Sequence, residues 1–183
     1  MDETSTRERG ADCVIEPLGE AGLPAYKALR DRMLAGHPEA FTSDAETERL
    51  RAADSYRGRL GGDGAALFSL GAWLGSQLVG AITVEREPRV KVRHIAHIVG
   101  MMVDDAVQGR GIGARLLDAA LERLRREEPE LEMVVLSVTR GNGAALRLYA
   151  SRGFERYGRL PGAIKLPDGS RLDKDLMNLR LRP

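Results

Sequence analysis

The chain has 183 residues, 43% of them hydrophobic and 30% charged, a balance that builds one domain core and excludes wholesale disorder. Its 28 basic and 27 acidic side chains leave a net charge of +1, which gives no basic footprint for a nucleic acid. One cysteine, Cys13, excludes an internal disulfide framework and a cysteine-built zinc site, and aromatics at 4% exclude a stacking platform for single strands.

Residues 1–11 are polar and charged with no apolar segment, so they predict a flexible tail and no secretory signal, with one domain over residues 12–183. Cys13-Val14-Ile15-Glu16-Pro17 predicts a short first strand stopped by its proline. Leu23 to Ala35 carries Leu23, Tyr26, Leu29, Met33 and Leu34 at helical spacing, with Pro24 in the first turn and Gly36-His37-Pro38 at the end. Ser43-Asp44-Ala45-Glu46 fits a capping box with Ser43 as the cap, and predicts a polar helix to about Arg57. Gly61-Gly62-Asp63-Gly64 reads as a loop. Gly64 to Val84 then runs 21 residues without a charge, the length of a membrane span. Gly71, Gly75 and Gly80 interrupt it, and Gly75-Ser76-Gln77 is a turn, so it predicts a buried hairpin of Ala65–Leu74 and Leu78–Glu85. A soluble, cytoplasmic protein is the expectation.

Arg86, Arg89, Lys91 and Arg93 form a basic cluster around Pro88, read as a solvated loop, with an anionic acceptor as the sharper alternative. Val92 to Val103 predicts a long strand. From Ile112, a helix places Leu116, Leu117, Ala120, Leu121 and Leu124 on one face and charges on the other. Met133 to Val138 is a continuous apolar strand of the kind found inside a sheet. Asn142 to Arg152 predicts a short helix ended by Gly153, and Asp168-Gly169 a hairpin turn before a last strand from about Leu172 to Leu181. The order β, α, α, a β-meander, then β-α-β-α-β-β predicts an α/β domain with a mixed sheet. The histidines, His37, His94 and His97, have no metal-ligand spacing, and no metal is expected.

The informative segment is Val103 to Ala114, where a strand gives way to glycines and then to a helix. Glycines turn the main chain tightly and leave its amides open, and the first amides of a helix lack internal partners and carry the positive end of its dipole. Such a place binds phosphate oxygens without a lysine. A loop that merely turns needs the same glycines, so the run alone decides nothing. Gly109-x-Gly111-x-x-Ala114 also fits a dinucleotide fingerprint. Five residues separate it from the strand, however, no acidic residue ends the next strand at Thr139-Arg140, and only 69 residues follow the run, too few for a full nucleotide fold.

Gln108-Gly109-Arg110-Gly111-Ile112-Gly113 resembles the Gln/Arg-x-x-Gly-x-Gly/Ala motif of the GCN5-related N-acetyltransferases, the GNAT superfamily. Met101-Met102-Val103-Asp104-Asp105 looks like the strand that precedes that motif. Asn142-Gly143-Ala144-Ala145-Leu146-Arg147-Leu148-Tyr149-Ala150-Ser151-Arg152-Gly153-Phe154 resembles the family's Asn-x-x-Ala-x-x-Leu-Tyr-x-x-x-Gly-Phe segment. Pro38-Glu39-Ala40-Phe41 and the closing Asp168-Gly169, Asp173 and Met177 resemble one bacterial branch.

The resemblance implies a single-domain α/β fold, a mixed but mostly antiparallel sheet of about seven strands with about four helices, splayed between the fourth and fifth strands. It implies acetyl-CoA as co-substrate and transfer of its acetyl group to a primary amine, small molecule or peptide, by direct attack in a ternary complex. A non-catalytic acyl-CoA-binding module is the alternative. Gln108, Gly109, Arg110, Gly111, Ile112, Gly113 and Ala114 would cradle the pyrophosphate. Met101 and Val103 would pair with the pantetheine arm as an added strand does, an amide near Met102 would hold the oxyanion, and Asn142 would contact the coenzyme. Tyr149 holds the position of the family's general acid. The family does not fix the base. His97 and Glu85, on adjacent strands, are the candidates, with His94 third. The resemblance also admits a homodimer and leaves the acceptor open.

Overall fold

In the computed structural model, residues 13–60 and 66–182 are described. The expected tail over residues 1–11 and the Gly61–Gly64 loop lie outside them. Burial sorts the strands: β1 (Val14–Pro17) is an exposed edge, whereas β3 (Gln77–Arg86) is buried throughout from Leu78 to Val84, as a strand covered on both faces must be. Between them lies β2 (Ala66–Leu74). β4 (Ile95–Val103), β5 (Met133–Thr139), β6 (Glu155–Lys165) and β7 (Arg171–Arg180) complete one sheet in the order β1-β2-β3-β4-β5-β7-β6. Every pairing is antiparallel except β4 with β5. The hairpin, the mixed sheet and the strand count agree with the sequence reading.

Helices cover the sheet from both sides. On one side α3 (Ile112–Glu127) buries Leu116, Leu117, Ala120, Leu121 and Leu124 against Ile82, Val84, Ala96, Ile98, Val134 and Leu136. Each buried leucine contributes roughly 2 kcal/mol from area removed from water. The short α4 (Gly143–Ala150) joins this side through Tyr149. On the other side α1 (Leu23–Gly36) packs Tyr26, Leu29 and Met33 onto Leu78, Ala81 and Met102. No helix among the described residues is long and apolar enough to cross a membrane.

Two local expectations are corrected. The polar helix to Arg57 is instead α2 (Ala45–Arg49) followed by a separate 3₁₀ segment, Ala53–Arg59. A continuous helix would hold Glu48 and Tyr56 about 12 Å apart along its axis. The break folds the chain back so that the Tyr56 phenol donates to Glu48, which also accepts from Arg30 at 3.0 Å and from Arg51 at 3.0 Å. Burial alone would raise the Glu48 carboxyl, but these donors outweigh it and hold it at about 2. The cap is Asp44, whose carboxylate accepts from the Glu46 and Thr47 amides, while Ser43 accepts from Arg30. The other correction is the start of β4. Val90–Val92 forms a 3₁₀ turn, held where Arg86 donates to the Arg93 carbonyl, and the strand begins at Ile95.

Candidate active site

The sheet opens between its two parallel strands. β4 and β5 pair only at Ile95↔Met133, Ala96↔Val134 and His97↔Val135, and from there the two strands run on unpaired. A bulge accompanies the divergence. Between Ala81↔Met102 and Thr83↔Val99, β3 has one residue and β4 has two, Gly100 and Met101. Gly100 takes φ 58°, and a Cβ there would stand 3.4 Å from the Tyr26 hydroxyl and the Arg59 guanidinium. Past the bulge the ladder is regular. Asp104 donates to the Val79 carbonyl at 2.8 Å, so alternation turns the Met102 amide toward β3 and the Val103 amide toward the gap. Met102 sends its side chain into the α1-side core, and Met101 and Val103 theirs to the α3 side.

The glycine run stands at the open end of β4. Gly109 and Gly111 take φ 76° and 75°, and no atom lies within 4 Å of a Cβ built on either. Gly111 is the N-cap of α3, and no side chain caps it. None of the amides from Gly109 to Ala114 meets a protein acceptor among the described residues. These six donors and the positive end of a 16-residue helix share one concave turn. Gly113 faces Leu148, Met101 and Val103, which brings α3, α4 and the gap edge of β4 together. Gln108 donates to Asp105, which His37 also approaches at 2.8 Å, and Arg32 meets Asp104 at 2.7 Å, so the end of α1 braces the loop. Arg110 is exposed and makes no hydrogen bond or ion pair among the described residues.

Tyr149 sits where these elements meet. Its ring packs edge-on to Phe154 at 5.6 Å, and its hydroxyl points to the Met101 sulfur at 3.2 Å. Burial pushes the phenol up to about 12, so it keeps its proton well beyond neutral pH. Asn142 caps α4, its side-chain oxygen accepting from the Ala145 amide at 3.1 Å, while its side-chain nitrogen has no protein partner among the described residues.

Glu85 and His97 are direct partners across the β3–β4 ladder, on the side of the sheet that carries α1. His94 is not brought to this group; its carbonyl holds the Glu132 and Met133 amides. The basic cluster is largely neutralised, with Arg86 on Glu128 and Glu130, Arg93 on Glu130 and Arg89 on Glu87. Sequence reasoning missed Glu87. Its carboxylate stands 3.4 Å from His97 Nε2, and both line a groove of about 400 Å³ over the paired end of β4 and β5.

The family model described as the acetyltransferase (GNAT) family matches residues 27–154. Mycothiol acetyltransferase of Geodermatophilus obscurus is 34% identical over 135 residues, which cover 73% of this chain and 41% of that protein. The chain therefore spans about two fifths of the length of that relative. An acetyltransferase of the GNAT family from Streptococcus pneumoniae superposes with a TM-score of 0.82 at 21% identity, over 92% of this chain and 99% of that one. The structure of yncA from Salmonella typhimurium, solved with its cofactor acetyl-CoA, superposes with a TM-score of 0.74 at 20% identity, over 94% and 96% of the two chains. At these identities the two structures speak to the fold.

Proposed function

The chain belongs to the acetyltransferase (GNAT) family, and from that premise we propose that it transfers the acetyl group of acetyl-CoA directly to a primary amine, small molecule or peptide, in a ternary complex. The observation that carries the reading is the set of amides from Gly109 to Ala114, unpartnered among the described residues, beside the opening between β4 and β5. A pyrophosphate needs converging donors and open space, and the two left-handed glycines supply both.

In this reading Gln108 and Arg110 add side-chain donors around the phosphates, and Asn142 adds its free amide nitrogen. Met101 and Val103 offer main-chain groups to the pantetheine arm, as a strand edge does to an added strand. When bound, acetyl-CoA supplies a carbonyl activated as a thioester. A main-chain amide of the bulge at Gly100 and Met101, rather than the Met102 amide that turns toward β3, steadies the negative charge that grows on its oxygen, a donor of a kind worth roughly 3 kcal/mol of barrier. Tyr149, protonated throughout the working range, gives its proton to the departing sulfur. On the other side of the sheet His97, with Glu85 beside it, takes the proton of the incoming ammonium.

A thiol-release assay with acetyl-CoA and a panel of primary amines tests the reading, with calorimetry for the coenzyme alone. Turnover on at least one amine is expected. Absence of acetyl-CoA binding would end it.

A further inference from the structure

We infer that Glu87 fixes which nitrogen of His97 is basic, and that the groove they line takes a primary amine carrying an apolar substituent. This rests on the acetyl-transfer reading and deepens it.

The groove sits on the α1 side of the sheet, where β4 and β5 are still paired, next to the point at which they part. Its volume, about 400 Å³, suits a small acceptor or the end of a chain. Val92, Ile95, Met133 and Val135 line it with hydrocarbon, and His97 and Glu87 supply its titratable pair.

The His97 side chain is about 38% exposed, yet its Nε2 is sealed from solvent and makes no hydrogen bond among the described residues. The exposure therefore belongs to the rest of the ring, which includes Nδ1. The nearest acidic atom to the sealed nitrogen is Glu87 Oε1, at 3.4 Å. The contact is an electrostatic one rather than a formed hydrogen bond, and a carboxylate so placed favours the proton on the nitrogen it faces, which leaves the lone pair on the other. Glu87 is itself fixed. Arg89 meets it at 3.0 Å and, with a smaller contribution from His97, holds its carboxyl below the usual range, while its amide donates to the Ile95 carbonyl. The other groups facing the imidazole are Glu85 across the ladder from β3 and Tyr157 from β6. β5 and β7 present the neutral Val135 and Asn178.

The proton balance closes. One ammonium N–H breaks and its proton passes to His97 Nδ1, or to a water held there. The freed pair forms the new C–N bond as the C–S bond breaks. The sulfur takes the Tyr149 proton, and the second proton of the new amide nitrogen restores the phenol. His97 releases one proton to solvent per turnover. An acceptor carboxylate in the groove would face Glu87, with Arg89 already engaged by Glu87, so an uncharged apolar substituent suits the groove.

The test uses the whole chain labelled with ¹⁵N-histidine, its three histidines resolved by the variant His97→Gln. At pH 9 the His97 nitrogens are expected to report the Nε2–H tautomer, and in E87Q a mixture of both. With acetyl-CoA and L-leucinamide, E87Q is expected to lower kcat about tenfold or more while leaving acetyl-CoA affinity unchanged. L-leucinamide should be acetylated faster than glycinamide, and L-aspartate least. Where E87Q does not fold, Glu87→Asp carries the same test, keeping the charge but withdrawing the carboxylate by one methylene. An unchanged tautomer and unchanged kcat in a folded variant overturn the role of Glu87. A preference for L-aspartate overturns the apolar acceptor. Acetyl-CoA binding with amine turnover in the parent protein would leave the proposed function standing in either case, whereas no coenzyme binding would remove both.

Discussion

The two sides of the opening between β4 and β5 are made of different materials. On the α3–α4 side, the proposed coenzyme site is mostly main chain: six amides from one continuous stretch, aimed by two glycines and a helix start. On the α1 side, the proposed acceptor site is side chain: His97 from β4, Glu85 and Glu87 from the end of β3 and its exit, and hydrocarbon from three separate segments. A main-chain site tolerates any side chains that allow the turn, but it fails at once where a turn position requires glycine. A side-chain site depends on identities brought together by pairing. Perturbations of the first should therefore act on coenzyme affinity, and perturbations of the second on acceptor use.

The largest effect is expected at Gly111. Its φ of 75° strains any L side chain by about 1–2 kcal/mol, and an aspartate there would set a negative charge in the turn proposed to hold phosphate. Gly111→Asp should weaken acetyl-CoA binding by calorimetry more than about a hundredfold, while the melting temperature falls only by what the strain dictates. Unchanged affinity would remove the phosphate role from the loop and erase the contrast between the two sides.

Next is Tyr149→Phe. The ring still packs on Phe154, so stability and coenzyme affinity should hold, while kcat should fall about 10- to 100-fold. The sign of the pH dependence follows from burial. The phenol is pushed up to about 12, so its protonated form persists through pH 10 and a loss of turnover from its ionisation is expected only near 12. An alkaline fall near pH 10 that vanishes in Tyr149→Phe would contradict the buried environment. Equal losses in kcat and affinity would make Tyr149 a binding residue.

The contrast also explains what was legible. The glycine run and the Asn142–Phe154 segment are contiguous, and their chemistry follows from local backbone demands, so the coenzyme side could be read along the chain. The strands were visible because burial stamps an alternating or continuous apolar pattern on them. Helix α1 was read from its spacing as well, but the stretch that follows, from Ser43 to Arg59, was not. Arg30, Ser43, Glu48 and Tyr56 satisfy one another inside the fold, and that pairing overrides the helical pattern that Ser43 to Arg57 otherwise shows. Glu87 was invisible for a related reason, since its role depends on a ladder that sets it near a residue ten positions away.

That buried cluster gives a smaller effect, confined to stability and the acceptor side. The Glu48 carboxyl lies at about 2 when folded against 4.5 when free, so its contribution is fully present above pH 4.5 and is lost as pH falls toward 2. Glu48→Gln should destabilise the protein by on the order of 3 kcal/mol at pH 7 in urea melts, because it also leaves Arg30 buried without its partner. The gap between parent and variant should shrink between pH 4.5 and 2.5. A gap that stays constant over that range would mean that the charge on Glu48 is not what holds α1 to α2.

The smallest effect separates two roles of Asn142. Its oxygen is committed to the Ala145 amide, and its nitrogen, without a partner among the described residues, is the atom proposed for the coenzyme. Serine caps a helix about as well as asparagine but lacks that nitrogen, whereas alanine loses both. Asn142→Ser should therefore melt within a degree or two of the parent while binding acetyl-CoA about threefold to tenfold more weakly, the worth of one neutral hydrogen bond. Asn142→Ala should show the same loss of affinity and, in addition, about 1 kcal/mol of destabilisation. Should the serine variant bind as the parent does, Asn142 is a cap alone. The coenzyme side would then be main chain at every position tested except Tyr149, and the division between the two faces would be sharper than drawn above.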